Sequence, residues 1–558
     1  MKTTKKIGII GAGPGGLAAA CLMQSRGHQV TLFEAREDVG GRTSQIRLNT
    51  SRGEFKFDTG PTFFLMPQVL GEIFQKSGRS MSDYLDLTRI DPLYLLDFSD
   101  GSTLSPRVSA RETAAEISKL SPRDGDSFFL FRERQKNKFE SILPTLKNSA
   151  QSIASLVRVE SLSAVPFLNL KSVYDELSDY FEDERVRLAF TFQAKYLGMS
   201  PFDCPSLFTI LPHIEHDLGV WHPRGGCSSI PGALAKLFVD LGGELKLSTP
   251  VQNVVAESGQ IQGLKTRDGY FYTFDDYVLG ADFAYGMSRL FKNSERKKYN
   301  NQKLESLKLS CSTFMVYLGL DRVFENLSHH GVYFSGNYRK NLREIFETFE
   351  LPEDPSFYLH NPSVLDSTLA PEGCSSLYLL VPVPRLTDNQ KFDWKTLQKT
   401  YRDKVISLLE KRTGITIRDH IVDERVITPA DWESHYNVFK GATFSLAHTP
   451  DQLLHNRPHN HSEDFENLFI VGGGTHPGSG LPTIFESARI AADLLEKKYS
   501  TLSPKETLEN LRKLDFARLP FLQRTKEVAQ GIAMSPQAQS LFYKIQNLRK
   551  TRDQEIES

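Results

Sequence analysis

Two glycine-rich segments at opposite ends of the chain constrain its fold more than any other feature: Gly11-Ala12-Gly13-Pro14-Gly15-Gly16 and Gly472-Gly473-Gly474-Thr475-His476-Pro477-Gly478. The first follows Lys6-Ile7-Gly8-Ile9-Ile10, an apolar run suited to a buried parallel strand. It precedes Leu17 to Arg26, rich in the helix formers Ala, Leu and Met. In that setting Gly11 permits the tight turn, Gly13 lets the backbone approach a pyrophosphate, and Gly16 lets the helix pack closely on the strand. The helix start then offers free N–H groups and a partial positive charge to the phosphates.

Gln29 to Phe33 gives a second strand, closed by Glu34 eighteen positions beyond Gly16. A carboxylate there accepts hydrogen bonds from ribose hydroxyls and repels a 2′-phosphate, so FAD or NAD is favoured over NADP. The continuation Gly40-Gly41-Arg42-Thr43 separates the two. It brings backbone amides and a cation to a diphosphate from a second side, a clamp expected of FAD. Near the other terminus, the apolar run Asn467 to Val471 leads into the late glycine segment and a helix from about Pro482 to Lys497. Gly474 and Thr475 are thereby placed to bind the ribityl chain or ring of the same cofactor. Between them, Pro231 opens a helix running to Leu241, Glu244 to Pro250 forms a strand, and Val251 follows where its backbone can meet the adenine edge.

The expected fold is α/β: a Rossmann-type FAD domain interleaved with a mixed-sheet substrate domain and a helical lid. The nucleotide domain is assigned to 1–100, 215–290 and 461–500, the lid to 101–214, the substrate domain to 291–460, and a helical extension to 501–558. Thr313 to Leu320 and Ser376 to Val383 are the clearest substrate-domain strands, and Ser127 to Ile153 and Lys171 to Gln193 the longest amphipathic helical stretches. The acidic clusters Asp175-Glu176 and Glu182-Asp183-Glu184 read as solvated helix faces.

With 67 basic against 68 acidic residues, nothing in the charge favours nucleic acid. The five cysteines are scattered and form no C-x-x-C pair, the usage of a reducing compartment with neither disulfide framework nor zinc site. The glycines after Ile10 spoil a secretory signal helix, and no apolar run is long enough to span a bilayer. A cytoplasmic location is expected, and oligomeric state is not legible.

Several separated segments in order, namely Gly11 to Thr43, Asp58-Thr59-Gly60-Pro61-Thr62, Gly219 to Gly226, Leu369-Ala370-Pro371-Glu372-Gly373 and Gly474 to Gly478, resemble the bacterial and fungal phytoene desaturases, relatives in fold of the flavin amine oxidases. The resemblance runs to about Glu496. It implies non-covalent FAD and dehydrogenation of a long isoprenoid such as phytoene. It leaves open a carotene isomerase, a desaturase of a modified carotenoid, or a non-redox isoprenoid escort, the last disfavoured by the intact Gly11, Gly13, Gly16 and Glu34. His222 stands where that family leads one to expect an aromatic residue, and Gly473 replaces a commoner alanine.

Desaturation removes a hydride and a proton, and flavin N5 accepts the hydride from a well-positioned carbon. Glu34, Gly41, Arg42 and Thr43 are expected to hold FAD, with His476 and Arg224 near the isoalloxazine; no proton acceptor is legible. An apolar substrate drawn from a bilayer implies peripheral membrane contact, for which 156–170 is the expected docking patch.

Overall fold

The computed structural model describes residues 4–151 and 171–500. Its centre is a five-stranded parallel sheet. β1 (Lys6–Ile10) lies between β2 (Gln29–Phe33) and Asp276–Leu279, with Glu244–Lys246 outside β2 and Leu468–Ile470 outside Asp276–Leu279. Strands from three distant parts of the sequence thus make one sheet. The helix α1 (Pro14–Ser25) packs between the helices Ser229–Asp240 and Leu481–Tyr499. Its residues Pro14 to Met23 are all buried. A helix apolar around its whole circumference has to be sandwiched in this way.

The late glycine segment is the loop between Leu468–Ile470 and Leu481–Tyr499, so both glycine-rich turns leave the carboxyl edge of one parallel sheet. A Cβ on Gly15 would lie 3.1 Å from the backbone N of Gly472. The two glycine-rich segments therefore pack against each other.

The second layer is a seven-stranded mixed sheet in the order Ile421–Ile427, Ser312–Leu320, Ser375–Val383, Phe357–His360, His330–Tyr333, Leu95–Asp97, Thr103–Leu104. Every pairing is antiparallel except that of His330–Tyr333 with Leu95–Asp97. Ser312–Leu320 is buried at every position because both faces are covered. Phe314, Val316 and Leu318 pack with Trp394, Tyr401 and Val405 of the helix Trp394–Thr413. Met315 and Tyr317 pack with Phe55, Phe57 and Trp432 on the other side, the two-residue alternation of a pleated strand. The strands at 95–97 and 103–104 belong to this sheet, so its edge reaches back into the stretches that the sequence suggested for the nucleotide domain and the start of the lid.

The expected long helix over Lys171 to Gln193 is instead two short ones, Val173–Leu177 and Glu184–Ala189. Ser172 and Asp183 each cap a new start, and a second N-cap inside an amphipathic stretch divides it. Glu176 corrects the reading of its cluster as solvated: it is 6% exposed and paired with the buried Lys138, which also donates to Thr209 Oγ1 and the Ser206 carbonyl. All five cysteines are buried free thiols. The expected docking patch at 156–170 and the extension at 501–558 lie outside the described residues.

Candidate active site

A cavity of about 590 Å³ opens along the carboxyl edge of the parallel sheet and runs under the mixed sheet. Gly11, Gly13, Gly41, Arg42, Thr43, Glu34, Val251 and Gly474 all line it. Gly11 sits at φ +97° with its N–H donating to the Phe33 carbonyl, a conformation that favours glycine. A Cβ on Gly16 would stand 2.0 Å from the Gly11 carbonyl oxygen. Gly16 is therefore fixed by helix–turn packing and does not itself line the cavity. On Gly13 a Cβ would meet no protein atom nearer than 4.0 Å, so its open side gives onto the cavity, as a phosphate cradle requires.

The carboxylate of Glu34 ends β2 and is buried. Its Oε2 accepts from Ala12 N at 2.8 Å and its Oε1 from Arg36 N at 3.0 Å. Arg42 donates to the Thr443 carbonyl at 2.9 Å and lies 3.5 Å from Asp282 Oδ2, which aims the guanidinium along the cavity wall. A dinucleotide fits these residues: open glycine backbone, a carboxylate at the end of the second strand, and a fixed cation opposite.

Arg457 opens Arg457-Pro458-His459-Asn460, a stretch that also fits the family resemblance but whose role was not legible in the sequence; it organises the late glycine segment. Fully buried, it donates to the carbonyls of Gly473 (2.7 Å), Thr475 (3.1 Å), Leu446 (3.1 Å) and Ala447 (3.2 Å). Burial pushes the guanidinium down to about 9. Held so, the carbonyls of this loop turn inward toward Arg457.

The geometry does not bring Thr475, His476 or Arg224 to the cavity. Thr475 is buried and donates its hydroxyl to the Pro458 carbonyl at 2.5 Å. The His476 imidazole is also buried, with Nε2 2.9 Å from the Asn148 carbonyl at the end of the helix Pro122–Lys147. Burial lowers its pKa to about 4, so it is neutral. Arg224 is exposed and follows the strand Val220–Pro223; its backbone N–H donates to the Asp86 carbonyl. The turn at Gly225 and Gly226, both at φ +85°, directs the chain instead so that Cys227 and Ser228 N–H reach the buried Asp58 carboxylate at 2.9 and 2.8 Å. Two of the separated sequence motifs meet there.

The far wall of the cavity is aromatic and aliphatic: Phe63, Phe192, Tyr196, Met315, Phe357 and Tyr358. The Phe63 ring lies 5.4 Å from that of Tyr196 and 5.7 Å from that of Tyr358. Tyr378 and Thr62 fasten the Asp58 to Thr62 turn to the mixed sheet, Tyr378 donating to the Gly60 carbonyl at 2.9 Å. Lys195 also reaches this wall, its ammonium pushed down to about 8 by burial.

Behind Tyr196 lies Glu215, fully buried on a single turn of π-helix, Ile214–Leu218. Such turns are frequent at functional sites. Its Oε2 accepts from Gln193 at 2.9 Å and Tyr94 at 3.0 Å, and the Tyr196 hydroxyl also bears on the carboxylate. Burial pushes the carboxyl up to about 7 against those hydrogen bonds. The Tyr196 hydroxyl faces this carboxylate; burial first, then the Glu215 charge and the hydrogen bond to it, raises that phenol far above its ordinary range. A lone Glu between two histidines, as in His213-Ile214-Glu215-His216, gave no periodic signal, and only the fold shows its position.

Comparison with known proteins agrees with this architecture. Residues 14–495 match the flavin-containing amine oxidoreductase family. The chain belongs to that family. It is 42% identical over 503 residues to a 4,4′-diapophytoene desaturase (4,4′-diapolycopene-forming) of Methylomonas sp, covering 89% of this chain and 96% of that one. It is 37% identical to an all-trans-zeta-carotene desaturase of Myxococcus xanthus (88% of this chain, 93% of that one) and 35% identical to a lycopene-forming phytoene desaturase of Pseudescherichia vulneris (88% and 99%). Among solved structures, a putrescine oxidase shares the fold with a TM-score of 0.58 at 14% identity, over 89% of this chain and 98% of that one. The protein is a flavin-dependent oxidoreductase with FAD as cofactor.

Proposed function

We propose that the protein desaturates a long apolar isoprenoid of the phytoene or diapophytoene class. The observation that carries this reading is the continuity of one cavity from the glycine cradle to an aromatic wall, beside relatives named for such desaturations. Bound FAD supplies a hydride acceptor. The residues of the chain do the rest. Phe63, Phe192 and Tyr358 exclude water and hold a polyene by dispersion along its length. Loss of hydride from an allylic carbon leaves a delocalised cation, whose adjacent C–H then releases a proton. We assign its acceptance to Glu215 through the Tyr196 hydroxyl: Tyr196 takes the substrate proton as it passes its own to the carboxylate. Gly11, Gly13, Gly41, Arg42, Thr43, Glu34, Val251 and Gly474 are assigned to the cofactor, with Gly16 and Thr475 as packing supports.

No helix among the described residues is long and apolar enough to cross a membrane. Because the substrate partitions into bilayers, we infer contact with a membrane surface. Exposed Phe129 (46%) and Leu130 (64%) on the helix Pro122–Lys147 support it. Flotation with anionic liposomes is expected to carry the protein upward, and its retention in the soluble fraction would count against docking.

Co-expression with enzymes that make phytoene, or separately diapophytoene, followed by pigment chromatography tests the main reading. New conjugated products are expected with one of the two. Flavin-loaded protein that leaves both precursors unchanged would overturn the assignment.

A further inference from the structure

His222, His329 and His360 each present a ring nitrogen, and these nitrogens lie within 4.8 Å of one another. They come from three places: His222 from the strand Val220–Pro223, His329 from just before His330–Tyr333, and His360 from the end of Phe357–His360. The rings of His329 and His360 are 4.9 Å apart, and those of His222 and His329 5.2 Å. His222 and His360 are 2% and 1% exposed.

Five nitrogens of this triad have no hydrogen-bond partner: both of His329, both of His360, and Nδ1 of His222. Orphaned buried polar atoms are rare in folded proteins and call for a ligand, an ion or water. The remaining nitrogen, His222 Nε2, lies 3.0 Å from Asp366 Oδ2, which also accepts from Gly225 N at 2.6 Å. A carboxylate on one ring nitrogen fixes the tautomer and leaves the lone pair on the other. Asp366 Oδ1 also accepts from the Thr368 hydroxyl at 2.6 Å, which fixes the carboxylate beside His222.

We propose that His222, His329 and His360 bind a divalent borderline metal ion, with zinc(II) the favoured ion, Asp366 orienting His222 and supplying negative charge beside the site. Neutral imidazoles are the donors such ions prefer. Tetrahedral zinc with nitrogens at about 2.0 to 2.1 Å places them about 3.4 Å apart, so binding requires the three rings to draw together from their present separation of up to 4.8 Å between nitrogens. The ion would fasten the short sheet carrying His222 to the mixed sheet. The neighbouring His330, whose Nδ1 is 2.6 Å from the Tyr358 hydroxyl and whose ring stacks on Phe63 at 4.1 Å, links that junction to the cavity wall.

The full-length flavoprotein, stripped with a chelator and dialysed, is titrated with zinc(II) and with cobalt(II). About one zinc per chain is expected by elemental analysis, with a raised Tm and, for cobalt, a visible d–d band beyond the flavin absorption. His222→Phe should retain flavin and fold but bind less than about a tenth of the metal. Wild-type protein that takes up neither ion and shows no cobalt band overturns the proposal. So does a flavin-loaded His222→Phe variant that binds metal as wild type does. Because every readout is metal content, Tm or cobalt colour, the result is independent of whether the isoprenoid substrate is identified.

Discussion

Replacing Glu215 with Gln separates its proposed chemistry from a packing role, because the two predict opposite changes in stability. The carboxyl is raised from 4.5 to about 7 by burial. A base of that pKa is about one-tenth ionised at pH 6 and about nine-tenths ionised at pH 8, so wild-type turnover under conditions where proton removal limits the rate should rise nearly tenfold between them. Gln preserves the acceptor for Tyr94 and Gln193 but cannot take a proton. The Glu215→Gln variant should therefore lose the pH limb and at least about tenfold in kcat at pH 8, with KM little changed. Stability moves the other way. Between pH 4.5 and 7 the native site keeps a proton that the unfolded chain has released, so wild-type stability falls as pH rises through that window and stays reduced above it. At 1.36 kcal/mol per pKa unit the penalty at pH 8 is on the order of 3 kcal/mol. Glu215→Gln removes it, raising Tm at pH 8 while leaving Tm at pH 4.5 close to wild type. The assay is turnover per bound flavin across pH 5.5 to 8.5, with melting curves on the same samples. A variant with a wild-type pH profile, or one less stable than wild type at pH 8, would refute both the buried-charge argument and the proton-acceptor role.

Gly15→Val tests the contact between the two glycine segments. Its Cβ would press within 3.1 Å of Gly472 N and 3.2 Å of Ile484 Cγ2, and its methyls would reach further. Overpacking of about 1 to 3 kcal/mol and a fall in bound flavin by absorbance are expected, and full flavin content at wild-type Tm would show the segments apart. His476→Ala removes the buried bond to the Asn148 carbonyl and should lower stability by about 1 to 3 kcal/mol, with turnover per flavin unchanged. A large loss of turnover at full flavin content would return the imidazole to the chemistry.

Much of the cofactor end was legible because its requirements are local. A tight turn needs Gly11 where it stands, close packing needs Gly16, and a carboxylate eighteen residues on ends the next strand; spacing along one βαβ unit carries all three. The late segment was legible as a motif, yet the sequence offered nothing to tell which side chains in it face inward. His476 and Thr475 are spent on the loop itself, and Arg457, whose role was not legible in the sequence, holds that loop in place.

By itself, then, the sequence determined the first βαβ unit, the two glycine-rich turns and FAD as the expected dinucleotide, since each follows from short-range periodicity and from backbone conformations open to few residues. Only the tertiary structure decided which polar groups lost their water. Burial of Glu215 behind Tyr196, and the meeting of His222 with His329 and His360 across two sheets, depend on segments far apart in the chain. The free energy of a buried charge or an orphaned nitrogen is set by what surrounds it in space, and that is not written in any one stretch of sequence.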